Sequence, residues 1–363
     1  MKKWMIIMGL LSITLAACSS NDKTADKEKV VEEASEDAPV APSEGFYQEV
    51  APDASIDHIH GLGYPSSGDA LMVASHHGPL LYEEGTWKET TGEKHDYMGF
   101  QAVADGFVSS GHPEPGSDYE NPLGLLKSTD AGETFKQYAF EGEIDFHYLA
   151  ASYQTDRIYV FNEMPTDNLE NGFFYTDDYG QKWTTMDMKG FEAEMMSNMA
   201  AHPETPETVA IGTERGLYVS TDAGESFSLL KDDMYITYVT LSKGHAYVAE
   251  LVGDKVQLVQ INLSSKEEKT LSVPQLAKDN AITYIATHPT NDKEISISTL
   301  QNDVYQTTDG GATWNQLATG GKLTKEYMGF VTFTMKLSNK PDVRNDYEKF
   351  FHFIPNLCLV CFL

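Results

Sequence analysis

Six of the chain's 11 histidines, His58, His60, His76, His77, His112 and His147, stand out with Met98, Asp96 and Asp145 as residues that could do chemistry. Neutral imidazole with thioether is a donor set for soft or borderline metals, copper above all. Imidazole with carboxylate serves zinc, so Asp96 or Asp145 could complete a zinc site. No compact motif of the HExxH or CxxC…CxxC kind is present, so a metal centre requires the fold to gather these side chains. The alternative is that they are polar caps in a wet channel, bonded to backbone and water.

The two aspartates also admit a second chemistry. A glycosidase needs two carboxyl groups flanking the scissile bond, one of them with a raised pKa. Asp96 and Asp145 are the candidate catalytic pair, and Trp87, Tyr97 and Phe146 are candidate platforms for sugar rings. Asp and Glu number 55, so two on one surface carry little weight alone. Neither a Gly-x-Ser-x-Gly elbow nor a phosphate-binding glycine loop occurs, which leaves serine-hydrolase and nucleotide-binding readings without support.

The elements that must position these residues are visible as a repeat. "STDAGETF" begins at Ser128, "TDDYGQKW" at Thr176, "STDAGESF" at Ser220 and "TTDGGATW" at Thr307. The first three are evenly spaced and the last interval is about twice as long, so one unit between has lost its box; "INLSSKEEKTL" at 261–271 stands there. A shortened "LYEEGTW" at 81–87 precedes the first full box. Each unit runs through an apolar stretch, a β-rich stretch such as "RIYVFN" or "TVAIGT", a short strand such as "GLYVS", the acidic turn, and an aromatic that opens a fourth run. Four short strands in roughly 45 residues are the pattern of a propeller blade. The expectation is an all-β fold, a β-propeller of six blades. Seven is the alternative, because "EYMGF" at 326–330 echoes "DYMGF" at 96–100.

In such a blade the box joins strands three and four. The carboxylates of Asp130, Asp178, Asp222 and Asp309 can accept backbone N–H groups of their own loops. The glycine tolerates a left-handed backbone. These aspartates are therefore structural rather than catalytic.

The first strands start beside the central channel on one face. In register there are His60, Met98, His147, Asn198, Thr237 and Thr283, with His58, Asp96 and Asp145 two residues earlier. The loops after the second strands return to that face and add His76, His77, His112 and Met164. Blades one to three thus carry a rim rich in His and Met, and blades four to six carry little of either.

The box resembles the Asp-box, or BNR, repeat of sialidases, sortilin-type propellers, some glycoside hydrolases and many exported bacterial proteins. The resemblance covers about residues 57–320. It implies a fold and says little about function. "HIHGLG", "SHHGPLLY", "DYMGF", "SGHP" and "DFHYLA" are similar to segments of a bacterial lipoprotein family that carries a glycosyl-hydrolase label. Sialidases clamp the substrate carboxylate with three arginines and use a tyrosine nucleophile. This chain has only Arg157, Arg215 and Arg344, and Arg157 enters its strand from the opposite face. A sialidase is therefore not expected.

The start of the chain points to export. "MKK" followed by the short apolar run "WMIIMGLLSITLA" fits a signal peptide over 1–17 and is too short for a stable membrane span. "LAAC", ending at Cys18, resembles the lipobox of bacterial lipoproteins, in which that cysteine is acylated after cleavage. Acyl chains on Cys18 would attach the protein to the extracytoplasmic face of the membrane. Residues 18–45 read as an acidic disordered tether, 46–322 as the propeller and 323–363 as an atypical tail. That tail holds Cys358 and Cys361 in an apolar end, without the setting of a redox or metal motif.

Lys and Arg number 26 against 55 acids, a net charge of −29, which excludes nucleic acid as a partner. The expected function is a lipid-anchored binding module or assembly factor whose rim holds copper or zinc, with an envelope protein or a glycan as partner. A glycoside hydrolase and a protein–protein scaffold without a small ligand are the alternatives.

Overall fold

The computed structural model describes residues 38–324, apart from 67, 69 and 254. The expected signal peptide, residues 18–37 of the expected tether with the lipid-attachment candidate Cys18, Arg344, and the tail with "EYMGF", Cys358 and Cys361 lie outside the described residues.

Six antiparallel sheets form, spanning 59–90, 96–139, 148–185, 196–232, 235–271 and 282–323. Each runs from an innermost first strand to an outermost fourth. The second strands explain why the sheets stack radially. Leu71–Ser75, Val209–Thr213 and Ile295–Thr299 are buried at every position, which a strand covered on both faces requires. Two sheets gain a fifth strand: Tyr47–Glu49 pairs with the outer strand of blade one, and Lys322–Leu323 with that of blade six.

The ring closes between blades six and one. Tyr64 Oη and Ser296 Oγ share a 2.7 Å hydrogen bond, and Trp87 Nε1 donates to Leu317 O at 3.0 Å. Ile59, Leu62, Leu71 and Trp87 of blade one share a core with Ala286, Val304, Leu317 and Ala318 of blade six. The fold is a six-bladed β-propeller, and with the first and sixth sheets packed together no gap remains for a seventh.

The four boxes share one hydrogen-bond pattern, except that Lys182 in the second has no hydroxyl to donate to the aspartate. In the first, Ser128 Oγ donates to Asp130 Oδ1 at 2.8 Å, Thr134 N donates to the same oxygen at 2.9 Å, and Thr134 Oγ1 donates to Asp130 Oδ2 at 2.6 Å. Gly132 N donates back to Ser128 Oγ at 2.7 Å. Ala131 and Gly132 both have positive φ, 56° and 92°, so the turn needs two consecutive left-handed residues, and glycine at the second relieves half of that demand. The Thr313 hydroxyl and N–H, with the Thr307 hydroxyl, hold the Asp309 carboxyl down at about 2. In blade five, Asn262 Oδ1 accepts from Ser264 N and Ser265 N and stands in for the lost aspartate. Blade one replaces the box with a two-residue turn at Glu84 and Gly85, both left-handed, as a tight hairpin demands.

Four of the six channel-facing strands share an irregularity. Register shifts fall between Ile59 and Gly61, Met196 and Asn198, Ile236 and Tyr238, and Ile282 and Tyr284. The residues skipped by the ladder are His60, Ser197, Thr237 and Thr283. A bulge of this kind bends the strand and re-aims a side chain, and all four skipped residues line the channel mouth.

Candidate metal centre

The bulge in blade one presents His60 from the strand Ile59–Gly63. Asp96 opens the first strand of blade two, Asp96–Val103, and His76 sits in the turn after Leu71–Ser75 of blade one. Their donor atoms meet. His60 Nε2 lies 3.4 Å from Asp96 Oδ1, and His76 Nε2 lies 3.4 Å from Asp96 Oδ2. One donor atom from each of the three residues falls within 4.8 Å of the others. The His60 side chain is only 12 % exposed.

His60 Nε2 and Asp96 Oδ1 are buried and neither makes a hydrogen bond, although they face each other. Burial is the largest influence on the His60 imidazole and lowers its pKa. Asp96 pulls the other way, while His76, His58 and His147 push it lower still. The outcome is a neutral ring, the form that ligates metal.

The neighbouring histidines are held by aspartates. His58 stacks on His76 at 4.9 Å between ring centres and on His60 at 5.8 Å. His77, 74 % exposed, points to Asp57 with Nε2–Oδ2 at 3.2 Å. Asp57 also accepts from His58 N at 2.8 Å. Burial tends to raise the Asp57 carboxyl, but the His58 N–H and the nearby His77 and His76 bring it below its usual value.

Asp145 organises a second group. Its Oδ2 lies 3.2 Å from His112 Nε2 and 3.4 Å from His147 Nε2, and its Oδ1 is buried without a hydrogen bond. His112 Nδ1 contacts Asn121 Oδ1 at 2.7 Å, and His147 Nδ1 faces Glu163 Oε2 at 3.5 Å. Met98, with His58, His60 and His147, lines a channel-mouth cavity of about 540 Å³. The candidate histidines therefore lie on one rim, with Asp96 facing His60 and His76, Asp57 facing His77, and Asp145 facing His112 and His147. Asp57, Asn121 and Glu163 are the partners that residue patterns did not single out. Glu163 was within reach, since it precedes Met164 in the rim loop "FNEMP".

Asn198 lines the mouth in the expected register and also clamps two blades: its amide donates to Val239 O at 2.8 Å and accepts from Val239 N at 2.9 Å. One expectation changes, that of the sugar platforms. Trp87, Tyr97 and Phe146 are all buried, because they pack the sheets together. Asp96 and Asp145 thus stand on the rim without those three rings beside an open substrate path. Arg157 is occupied by Asp177, with its guanidinium 4.1 Å above the Tyr175 ring, and cannot clamp a substrate at the rim.

A family model described as sortilin, neurotensin receptor 3 (Sortilin-Vps10) matches residues 124–270. No curated protein matches the chain. Among solved structures, the GH74 xyloglucanase from Xanthomonas campestris is 16 % identical over 75 % of this chain and 47 % of its own, with a TM-score of 0.47. The match thus spans about half the length of that enzyme. YCF48 from Cyanidioschyzon merolae is 12 % identical over 76 % of this chain and 89 % of its own, with a TM-score of 0.44. The sortilin match and the closed six-sheet ring put the chain among the β-propeller proteins.

Proposed function

We propose that this protein is a lipid-anchored, extracytoplasmic propeller that acts as a binding module or assembly factor and holds copper or zinc at its channel mouth. The observation that carries the metal reading is the pair of buried, unbonded atoms His60 Nε2 and Asp96 Oδ1, with His76 beside them. At 3.4 Å without a hydrogen bond the two atoms only partly offset each other's burial, and a cation between them would bond both. Two imidazoles and a carboxylate are three of the four ligands that zinc takes, with the fourth position left for water or a ligand. The leader pattern and the lipobox-like "LAAC" support the location.

Hydrolysis of glycans is the weaker reading, since the aromatic residues it would use are in the core. The test is metal retention. The purified protein is loaded with zinc or copper, exchanged into metal-free buffer, and its metal content measured beside a His60→Ala, His76→Ala variant. Near-stoichiometric metal in the native protein and its loss in the variant are expected. Equal retention in both would overturn the assignment.

A further inference from the structure

We infer that a groove between blades four and five, on the mouth face, docks a peptide segment of a partner protein that sets Lys or Arg beside a large apolar side chain. The inference gives the binding-module reading above a surface and a partner class, and it does not involve the metal.

Two connections build the groove. Glu214 and Arg215 join Val209–Thr213 to Gly216–Ser220 in blade four, and Asp232, Asp233 and Met234 lead into Tyr235–Leu241, the first strand of blade five. With Leu229 and Tyr235 these residues line a space of about 500 Å³. Leu229 is 39 % and Tyr235 43 % exposed. Met195, 57 % exposed, stands at the edge, where its N–H donates to Glu214 Oε2 at 3.0 Å. Among the described residues, three of the seven exposed large apolar side chains thus gather at one groove. Scattered singly they would be ordinary surface residues; gathered at a concave site they mark a contact surface. A groove of this size takes a chain segment rather than a flat protein face.

Charge decides what covers it. Glu214, Asp232 and Asp233 line the groove against Arg215. Arg215 is already engaged, since its guanidinium donates to Glu192 O at 2.9 Å and lies 3.6 Å from Glu192 Oε2. Lys231, beside Asp232 in the chain, is held by Glu268 at 2.5 Å and Glu250 at 3.4 Å. Burial tends to raise the Glu214 carboxyl, but the N–H groups of Glu194 and Met195 bring it below its usual value, so it stays ionised. The groove is therefore apolar and negative, and a partner of complementary charge is cationic. A second copy of this chain, at net −29, would bring like charge, and so would an anionic membrane.

The test starts from a random peptide library displayed on phage and selected on the full-length protein in EDTA. The consensus peptide is synthesised with a fluorescent label, and its affinity is measured by anisotropy. Two variants are compared, Asp232→Asn with Asp233→Asn, and Met195→Ala with Tyr235→Ala. Asp233 has a φ of 60°, which asparagine also adopts, so the turn is kept. Selected peptides should carry Lys or Arg next to Leu, Phe or Trp. Each variant should melt like the parent and bind the peptide at least about fivefold more weakly. Added salt should weaken binding to the unsubstituted protein, which reads the charge without any substitution. A consensus lacking a cation, affinity unchanged in either variant, or binding indifferent to salt would overturn the inference. So would a dimer of the parent protein that the same substitutions dissolve, because a second copy would then cover the groove. Because the assay contains EDTA, none of these results bears on metal retention, and loss of the metal reading would leave this inference standing.

Discussion

His60 and Asp96 hold buried polar atoms 3.4 Å apart without a hydrogen bond, and His76 closes on the same carboxylate. His77 differs by being exposed and paired with Asp57, outside that cluster. A His77→Ala variant should accordingly keep its metal, while His60→Ala loses it; metal analysis of the two single variants separates them. Protonation is the second property set at this scale. Burial lowers the pKa of His60 and of His95, whose Nδ1 accepts from Glu114 N at 3.0 Å. In the unfolded chain both take up protons near the ordinary value of about 6.5, whereas the folded chain resists. The unfolded state then binds more protons, so stability present above pH ~6.5 declines as pH falls through and below it. Thermal melts of the metal-free protein between pH 7.5 and 5 should show a falling midpoint. A midpoint that rises on acidification would contradict this.

The elements divide into those legible in the residues and those that were not. The acidic boxes were legible because their chemistry is local: a carboxylate, a hydroxyl and a glycine within one short turn. Asp130→Ala removes three hydrogen bonds, two of them from Thr134, and should cost about 1–3 kcal/mol in denaturant unfolding. The bulges were not legible. A residue skipped by the ladder looks like any other in an alternating strand, so the registers that selected Asn198 missed Ser197. Burial of Trp87, Tyr97 and Phe146 was hidden for a related reason: an aromatic reads the same whether it meets a sugar or the next sheet. The aspartate hubs were half legible, since Asp96 and Asp145 fell in register while Asp57 did not. Gly99 shows how tightly the inner strands approach. Its φ is 59°, and a Cβ there would collide with Phe146 O, next to His147. Gly99→Ala should destabilise by about 1–3 kcal/mol on backbone strain alone, and thermal unfolding would detect it.

At the scale of the molecule, the ring depends on the seam between blades six and one. Trp87 fills that seam and donates to Leu317 O. Trp87→Ala should cost about 3–5 kcal/mol, as for other buried tryptophans, and should loosen the closure on which the rim depends. The six-unit count and the convergence of the histidines on one face followed from the repeat, because a closed ring assigns every strand end to one of two faces. The metal itself is the part a chain of residues cannot display. The most direct measurement is anomalous diffraction at the zinc edge from crystals of the zinc-loaded protein. The account predicts a peak about 2 Å from His60 Nε2 and His76 Nε2, with an Asp96 oxygen in the same shell. A peak elsewhere on the molecule, or none at this rim in zinc-loaded crystals, would contradict it.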